Sequence, residues 1–379
     1  ATGMALDYFA KLTRSFAFEE VRPGMMGPAL VRHEPVGVCA GIVPWNVPLF
    51  ISMLKLAPAL ASGSTIVLKP APETPLSANA LAQMCIDAGV PDGVVNIVPA
   101  GRETGQHLVT HPDVDKVSFT GSTAAGRKIG AACGELLRRC TLELGGKSAA
   151  IICDDADLDA IMPELIAAST MNNGQACVAQ TRILATRSRY DEVVEALTEA
   201  VAAIPVGDPA NMETGCGPLI AERQRERVEG YIQAGRDEGA RVTTGGGRPE
   251  GLDRGWFVEP TVFADVDNSM RIAQEEIFGP VLAVIAVDDA DDAVRVANDS
   301  AYGLSGTVWT ADADAGLDIA RKVRTGTYTV NGFAMEWGAP FGGFKDSGVG
   351  RELGPEGLAA YLESKTINLP AGTEPTLAY

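Results

Sequence analysis

Cys177 is the side chain whose surroundings most favour covalent chemistry. It lies in the segment NNGQACVA, directly after a polar turn at residues 172–175. The other six cysteines lie in apolar or strand-like segments, which is typical of small buried hydrophobic residues. A thiol that follows a polar turn at the end of a helix is instead placed like an exposed nucleophile. The sequence therefore favours Cys177 as a nucleophile.

A nucleophilic cysteine needs a base, and the sequence offers two kinds. None of the three histidines, at positions 33, 107 and 111, has surroundings like those of a cysteine–histidine hydrolase, which disfavours that class without excluding it. Glu143 in LELGGK ends a predicted strand and precedes two glycines. This position predicts a carboxyl group at the carboxyl edge of a sheet, where ligands gather. A solvated glutamate at a strand end explains the position alone equally well.

Phosphate binding is indicated by FTGSTAAG, residues 119–126. It is a relaxed GxGxxG pattern with Thr123 in place of the second glycine, between a strand and a helix. Small residues there let a phosphate approach the unpaired N–H groups of the helix N-terminus. A plain tight turn is the commoner explanation of such a pattern alone, and the acidic residue close to the expected spacing of about 20 residues, Glu143, is needed for another role.

Further candidates lie in rigid loops that contain proline and glycine. Asn46 follows a predicted strand in the sequence Pro44-Trp45-Asn46, and its amide N–H₂ group is the kind of donor that an oxyanion needs. The loops at 276–280 and 340–345 contain aromatic residues, which core packing also explains.

The elements that position these residues alternate between short β-branched runs and helical patterns, which predicts βαβ units and a mostly parallel sheet. The predicted strands are 36–43, 65–68, 94–98, 117–120, 149–153, 183–185, 281–287, 306–309 and 327–330. The predicted helices are 49–60, 75–88, a run to about 133, 157–172, 189–203 and 223–238. Residues 362–369 form a predicted edge strand, which either pairs with another subunit or is an ordinary sheet edge.

The composition of the chain excludes or disfavours several classes of protein. The 379 residues are 46% hydrophobic and 21% charged, which excludes a disordered chain. The net charge of −18 disfavours nucleic-acid binding. Seven cysteines without a CxxC pair predict neither a disulfide framework nor a zinc site, so we expect no metal and a reducing cytoplasm. The most apolar stretch, 37–54, is interrupted by two prolines and an asparagine, which argues against a membrane span.

Seven motifs together resemble the aldehyde dehydrogenase superfamily in order and spacing. They are PWN, KPAPETP, FTGSTAAG, LELGGK, GQAC, EEIFGP and PFGGFKDSGVGREL, and the match extends from about Glu34 to Pro370. The resemblance implies an α/β fold: a Rossmann-like cofactor domain, an α/β catalytic domain and a small β oligomerisation element. The implied domains are 1–143, with part of an oligomerisation hairpin near 28–36; 144–335; and a return segment, 336–379, with an oligomerisation strand near 362–369.

The resemblance also implies residue roles in the oxidation of an aldehyde to a carboxylic acid through a thiohemiacetal and a thioester. Cys177 is similar to the nucleophile, Glu143 to the general base and Asn46 to the oxyanion amide. Lys55 and Glu352 are similar to a proton relay. The implied cofactor-binding residues are Val43, Pro44, Trp45, Lys69, Gly121, Ser122, Gly126, Leu144, Glu276 and Phe278.

Two departures from the family pattern affect the cofactor. NAD-preferring members often have a glutamate three residues after the lysine that matches Lys69, whereas this chain has Pro72 there and Glu73 one position later. We expect NAD, with NADP not excluded. The N-terminal segment of family members is expected to be missing, which would leave apolar surface uncovered.

Two other functions remain open at this stage. One is a CoA-acylating relative, disfavoured because Glu143 is present as a hydrolytic base. The other is a catalytically crippled fragment that serves as a structural or binding protein. The implied partner is an aldehyde, with assembly as a homodimer or homotetramer. The candidate pocket residues Met171, Val178, Met335 and Trp337 are apolar, which favours a hydrophobic aldehyde over a semialdehyde.

Overall fold

The computed structural model describes residues 2–377, which form two compact units. The first unit contains the chain up to Glu143, the segment Glu336–Phe341 and the chain from Val349 onward. The second unit contains Leu144–Met335 and Gly342–Gly348. The chain therefore leaves the first unit after Glu143 and returns to it near its end. The functions predicted for domains 1–143, 144–335 and 336–379 remain predictions.

The first part of the chain alternates strands with helices. Its elements are α1 (Thr2–Leu12), β1 (Glu19–Arg22), β2 (Ala29–Pro35), β3 (Val38–Ile42), α2 (Pro48–Ser62), β4 (Thr65–Lys69), α3 (Pro75–Asp87), β5 (Val95–Ile97), α4 (Arg102–Thr110), β6 (Lys116–Thr120), α5 (Thr123–Glu135) and β7 (Arg139–Glu143). Five of these strands form a parallel sheet in the order β7-β6-β3-β4-β5. Short helical connections between parallel strands produce this arrangement.

Helix α2 packs inside the first unit because most of its residues are apolar. Pro48 begins the helix, where a missing N–H group costs nothing. Gly63 ends it with a left-handed backbone, φ 82°, and donates its N–H group to the carbonyls of Ala59 and Leu60. The predicted helix, 49–60, agrees with these bounds to within two residues at each end.

The second unit is built on one larger sheet. Its elements are β8 (Ala149–Ile152), α6 (Leu158–Thr170), a 3₁₀ helix (Met171–Gly174), β9 (Arg182–Thr186), α7 (Tyr190–Ala202), α8 (Glu222–Asp237), β10 (Arg241–Thr244), β11 (Thr261–Ala264), α9 (Arg271–Gln274), β12 (Val281–Val287), α10 (Ala290–Asn298), β13 (Gly306–Trp309), α11 (Ala313–Lys322), β14 (Thr329–Val330) and a 3₁₀ helix (Lys345–Ser347). The strand order is β10-β11-β12-β9-β8-β13-β14. All neighbours are parallel except the pair β10–β11.

Hydrophobic residues fill both faces of this sheet. Phe263 and Ile285 lie in one cluster, and Ile183, Val284 and Trp309 lie in the other. Strands with two covered faces consist of continuous apolar runs, as β8 and β12 do. The second unit therefore has a core on each side of its sheet.

The last elements are β15 (Gly348–Val349), α12 (Gly354–Ala359) and β16 (Leu362–Asn368). The short strand β15 adds to the β7 edge of the first sheet. Strand β16 pairs antiparallel with β2 and forms the edge of a separate sheet in the order β1-β2-β16. The predicted tail strand thus has a partner within its own chain, while its second edge lies at the border of that sheet.

The predicted α/β architecture is confirmed, and most predicted elements agree with the structure to within two residues at each end. Short elements escaped the sequence analysis, among them β10, β11 and α9, because four-residue segments carry little periodic signal. Between residues 2 and 377, no helix combines the length and the apolar content that a membrane span needs.

Arg182 is a buried cation that joins β9 to three other segments of the second unit. It is 2% exposed. Its guanidinium donates to the carbonyls of Lys147 (3.0 Å), Val296 (3.1 Å) and Ala297 (2.9 Å) and to Oδ1 of Asn268 (3.0 Å). Val296 and Ala297 lie in the last turn of α10, where a cation also opposes the helix dipole.

We expect Arg182→Met to lower the free energy of unfolding by about 3 kcal/mol or more, since it leaves buried carbonyls without donors. Denaturant titration followed by tryptophan fluorescence measures the change. The matched control, Arg187→Met, removes a highly exposed side chain and should leave the unfolding midpoint unchanged. Equal midpoints for the two variants would contradict a structural role for Arg182.

Candidate active site

Three consecutive left-handed residues shape the turn before Cys177. Asn172, Asn173 and Gly174 have φ values of 51°, 58° and 70°. Asparagine and glycine are the residues that adopt this conformation most readily, which explains their position after α6. The turn redirects the chain, so that Cys177 follows it in a half-buried position.

Side chains of the same turn hold it in place. The Asn173 carboxamide accepts from the N–H group of Gly217 (2.9 Å) and donates to the carbonyl of Pro218 (3.2 Å). The Gln175 carboxamide accepts from the N–H group of Ile220 (3.1 Å). The polar residues that marked this turn in the sequence are therefore supports for the cysteine loop.

Glycines let backbone segments approach this loop closely. A Cβ on Gly146 would lie 2.2 Å from the carbonyl oxygen of Cys177, and one on Gly174 would lie 2.1 Å from the carbonyl oxygen of Gly279. Both distances are far below van der Waals contact, so any side chain would displace the loop. Close backbone packing therefore explains why the second glycine after Glu143, Gly146, has no side chain.

The same glycines contact Glu276. The N–H group of Gly146 donates to Oε1 of Glu276 at 3.0 Å, and a Cβ on Gly145 would lie 2.8 Å from Oε2. Burial raises the pKa of Glu276 above its ordinary value. Nearby, Leu144 donates its N–H group to the carbonyl of Ser347 (2.9 Å), and Phe278 has a positive φ of 65°. The second unit therefore brings Cys177 and Glu276 against one short glycine segment.

In the first unit, Glu143 is a buried carboxyl group without a hydrogen bond. It is 3% exposed, and neither side-chain oxygen has a partner among the described residues. Burial raises the pKa of Glu143 well above its ordinary value, and the negative charge of Glu352 raises it further. The cations of Lys55 and Arg351 act in the opposite direction. The arrangement favours a carboxyl group that takes up a proton more readily than an exposed glutamate does.

Lys55 and Glu352 form a buried ion pair in the first unit. The Nζ atom of Lys55 lies 2.8 Å from Oε1 of Glu352, and the side chains are 0% and 3% exposed. Lys55 also donates to Oγ1 of Thr120 (2.7 Å), and the Ser118 hydroxyl donates to Glu352 (3.3 Å). These bonds satisfy charges that would be costly to bury alone.

The predicted cofactor residues of the first unit include several at the carboxyl edge of its sheet. Val43 donates its N–H group to the carbonyl of Lys69 (3.0 Å), just beyond the ends of β3 and β4. Lys69 donates to the carbonyls of Pro70 (2.7 Å) and Ala100 (3.1 Å). Burial lowers the pKa of Lys69, opposed by Glu73. The ammonium group carries three protons, so it retains one for a further acceptor.

Gly121 and Ser122 form the turn between β6 and α5. Ser122 caps the helix, with its hydroxyl accepting from the N–H group of Ala125 (3.4 Å). A Cβ on Gly121 would lie 2.6 Å from the ring of Phe119, and Gly126 is buried in the first turns of α5. A capped helix start after β6 and a buried lysine at the end of β4, on the same edge of the sheet, match the donor set that a dinucleotide phosphate and ribose require.

Pro44, Trp45 and Asn46 connect β3 to α2, and all three are half-buried. Sequence analysis missed other buried polar residues, notably Lys116 and Tyr361. The signal available for Lys116 was the polar residue at every second position from 116 to 120, whereas Tyr361 lies between α12 and β16 and has no such pattern. Among residues 2–377, no group of three or more potential metal ligands occurs together.

Several characterised proteins are similar to this chain. Geranial dehydrogenase from Castellaniella defragrans is 54% identical over 365 residues, which are 96% of this chain and 76% of that protein. A 3-succinoylsemialdehyde-pyridine dehydrogenase from Pseudomonas is 45% identical over 360 residues, 94% of this chain and 75% of that protein. The chain thus spans about three quarters of these relatives.

Solved structures of aldehyde dehydrogenases are also similar to this chain. Mycobacterium tuberculosis aldehyde dehydrogenase, complexed with NAD+, has a TM-score of 0.97 and 56% identity, covering 99% of this chain and 78% of that one. A mutant of aldehyde dehydrogenase C from Pseudomonas syringae, complexed with NAD+ and octanal, has a TM-score of 0.93 and 42% identity, with the same coverage.

The family model described as the aldehyde dehydrogenase family matches residues 2–367. Neither a CoA-acylating enzyme nor a crippled fragment is favoured by these similarities. The chain belongs to the aldehyde dehydrogenase family, and it is an NAD(P)-dependent oxidoreductase that converts an aldehyde into a carboxylic acid.

Proposed function

We propose that this chain oxidises a hydrophobic aldehyde with NAD+, with Cys177 as the nucleophile and Glu143 as the general base. The observation that carries the proposal is the buried environment of the Glu143 carboxyl group. Its carboxyl group is buried, has no hydrogen-bond partner among the described residues and has a raised pKa. A structural glutamate would be paired or solvated, whereas a base must be able to take up a proton.

In the first chemical step the thiolate of Cys177 attacks the aldehyde carbon. Only a few per cent of an ordinary thiol is ionised at pH 7, so the loop must keep this side chain reachable by a base. The carbonyl oxygen becomes an oxyanion, which the Asn46 amide stabilises. Removal of one such donor typically costs about 3–4 kcal/mol of transition-state stabilisation.

NAD+ supplies one chemical contribution when bound, the acceptance of a hydride from the adduct on Cys177. We propose that Lys69 and Glu276 bind its two riboses and that Gly121 and Ser122 receive the pyrophosphate at the start of α5. The other proposed cofactor-binding residues are Val43, Pro44, Trp45, Gly126, Leu144 and Phe278.

Thioester hydrolysis is the second half of the proposed cycle. Glu143 takes a proton from water as the water oxygen attacks the thioester carbon, and the C–S bond then breaks to release the acid. The base must be ionised for this step. Because burial raises the pKa of Glu143, we propose that the hydrolytic rate increases with pH as this carboxyl group ionises.

The proposed substrate class rests on apolar side chains and on relatives. Val178 is buried, Met171 and Met335 are half-buried, and the Trp337 ring packs edge-on to Phe50 with centroids 5.8 Å apart. Similar proteins act on geranial or were crystallised with octanal. A carboxylate entering apolar surroundings loses hydration without gaining a cation, which disfavours semialdehydes.

We propose a homodimer or homotetramer in the cytoplasm. In support, β16 forms one edge of its sheet, and most of its side chains are exposed or half-exposed. Such an edge offers unpaired backbone groups to a second chain.

We expect Cys177→Ala to abolish both NADH formation from aldehyde and fast labelling by iodoacetamide. Absorbance at the NADH band and peptide mass spectrometry measure the two effects. Cys153→Ala is the matched control, because Cys153 is a half-buried cysteine of the same unit whose pKa is raised to about 11 by burial. Turnover by Cys177→Ala would contradict the assignment of the nucleophile.

Glu143→Gln should still form about one NADH per Cys177 and then stop, because the thioester forms but is not hydrolysed. Stopped-flow absorbance with excess aldehyde separates this burst from the steady rate. Loss of the burst itself would place Glu143 earlier, in activation of the thiol.

Butanal and succinic semialdehyde have four carbons each and differ by a terminal carboxylate. We expect kcat/KM to be at least about tenfold higher for butanal, and higher again for octanal. Steady-state NADH formation over a range of each aldehyde tests this. A preference for the semialdehyde would contradict the proposed substrate class.

A further inference from the structure

Polar side chains follow one face of two adjacent strands in the first unit. They are Lys116, Ser118 and Thr120 on β6, and Thr141 and Glu143 on β7. The register pairs Ser118 with Thr141 and Thr120 with Glu143, so these side chains lie side by side. Four of the five are at most 3% exposed. Strands buried in a parallel sheet are usually apolar, so this polar face needs a reason.

The carboxyl end of this face is occupied by the Lys55–Glu352 pair. Lys55 is bonded to Thr120, and Glu352 accepts from both Lys55 and Ser118. Glu143, beside Thr120, is close enough for the charge of Glu352 to raise its pKa. Hydrogen bonds therefore connect Thr120, Lys55, Glu352 and Ser118, and Glu143 lies beside Thr120 at the start of this chain.

The amino end of the face is occupied by Lys116. Its Nζ atom donates to Oγ1 of Thr141 (2.8 Å) and lies 4.7 Å from the centre of the Tyr361 ring. The Tyr361 hydroxyl is buried and accepts or donates no hydrogen bond within the described residues, which leaves it able to bind a bridging water. Lys116 itself is 1% exposed, and no carboxylate of residues 2–377 is bonded to it.

Burial lowers the pKa of Lys116 to about 8. The groups around it act in both directions. Cys39 on β3, Cys140 on β7 and Glu352 raise its pKa, whereas Lys55 on α2 lowers it further. The amine is thus able to gain and lose a proton within the pH range in which the proposed enzyme works.

We propose that Lys116 is the proton acceptor at the far end of a buried path, which starts at Glu143 and continues along β6 through the Lys55–Glu352 pair. The inference rests on the proposed function, because the proton is the one that Glu143 takes from the hydrolytic water. The O–H bond of the Glu143 carboxylic acid breaks, and an N–H bond forms on the neutral amine of Lys116. No electrons are exchanged between groups, and Glu143 returns to its carboxylate form.

The proton then leaves from the amino end of β6. Cys140 is half-buried there, and Asp115, next to Lys116 in the chain, is exposed. Release at this end restores the neutral amine for the next turnover. The proposed path therefore runs from the carboxyl ends of the strands toward their amino ends, where Cys140 and Asp115 are the groups nearest to solvent.

Arginine and methionine variants separate a proton acceptor from a structural cation. Lys116→Arg keeps the positive charge but cannot release a proton in the working pH range, and Lys116→Met removes both properties. Lys128→Met, at an exposed position on α5, is the matched control. The measurements are the NADH burst and the steady rate with butanal between about pH 6.5 and 9.5.

In the wild type we expect the steady rate to increase through about pH 8, where the amine becomes neutral. Both Lys116 variants should lose the part of this increase that occurs near pH 8, so that at about pH 9 they fall about tenfold below the wild type in steady rate, with an unchanged burst amplitude. The unchanged burst shows that a variant is folded and that Cys177 reacts. Wild-type behaviour of Lys116→Arg would overturn the proposal, because Lys116 would then act only through its charge.

Nitrogen-15 NMR of the lysine Nζ groups gives a second readout that is independent of turnover. We expect a buried lysine signal that titrates near pH 8 and is missing in Lys116→Met. A Lys116 signal that stays charged up to about pH 10 would also overturn the proposal. A wild type without any NADH burst would contradict the proposed function itself, which the variants distinguish from failure of the path alone.

Discussion

The parallel direction of the strands in the first unit is the constraint on which its chemistry depends. Because β3, β4, β6 and β7 run the same way, their last residues lie at one edge of one sheet. Lys69, Thr120 and Glu143 end three of these strands. An antiparallel sheet would divide the same residues between opposite edges. The parallel topology thus brings to one edge residues that no single local segment could bring together.

The two units use burial in different ways. The sheet of the second unit is covered by aliphatic and aromatic side chains on both faces, which stabilises it through the removal of apolar surface from water. One face of the first sheet instead buries Lys55, Lys116, Glu143 and Glu352. Buried ions cost several kcal/mol each unless they are paired or neutral. The ion pair and the shifted pKa values of Glu143 and Lys116 are two ways of reducing that cost.

Local patterns were sufficient for much of the fold and for part of the site. The end of α2 at Gly63 and the apolar run of β12 were predicted because each is determined by a few neighbouring residues. The turn before Cys177 was also visible, since asparagine and glycine together are typical of a left-handed turn at the end of a helix. The partner of β16 was not predicted, because strand pairing between distant segments leaves no trace within either segment. Lys116 was missed because a lysine at the start of a strand is usually solvated.

The ion pair of Lys55 and Glu352 joins residues 297 positions apart. A ribosome makes the chain from its N-terminus, so Lys55 is synthesised long before its carboxylate. The second unit, by contrast, has most of its chain in one continuous stretch that ends at Met335. The first unit can complete its interior only after the second has left the ribosome. Order of synthesis therefore makes the segment from Val349 onward the last part of the first unit to form, and termination between Lys55 and Glu352 leaves Lys55 without its carboxylate partner.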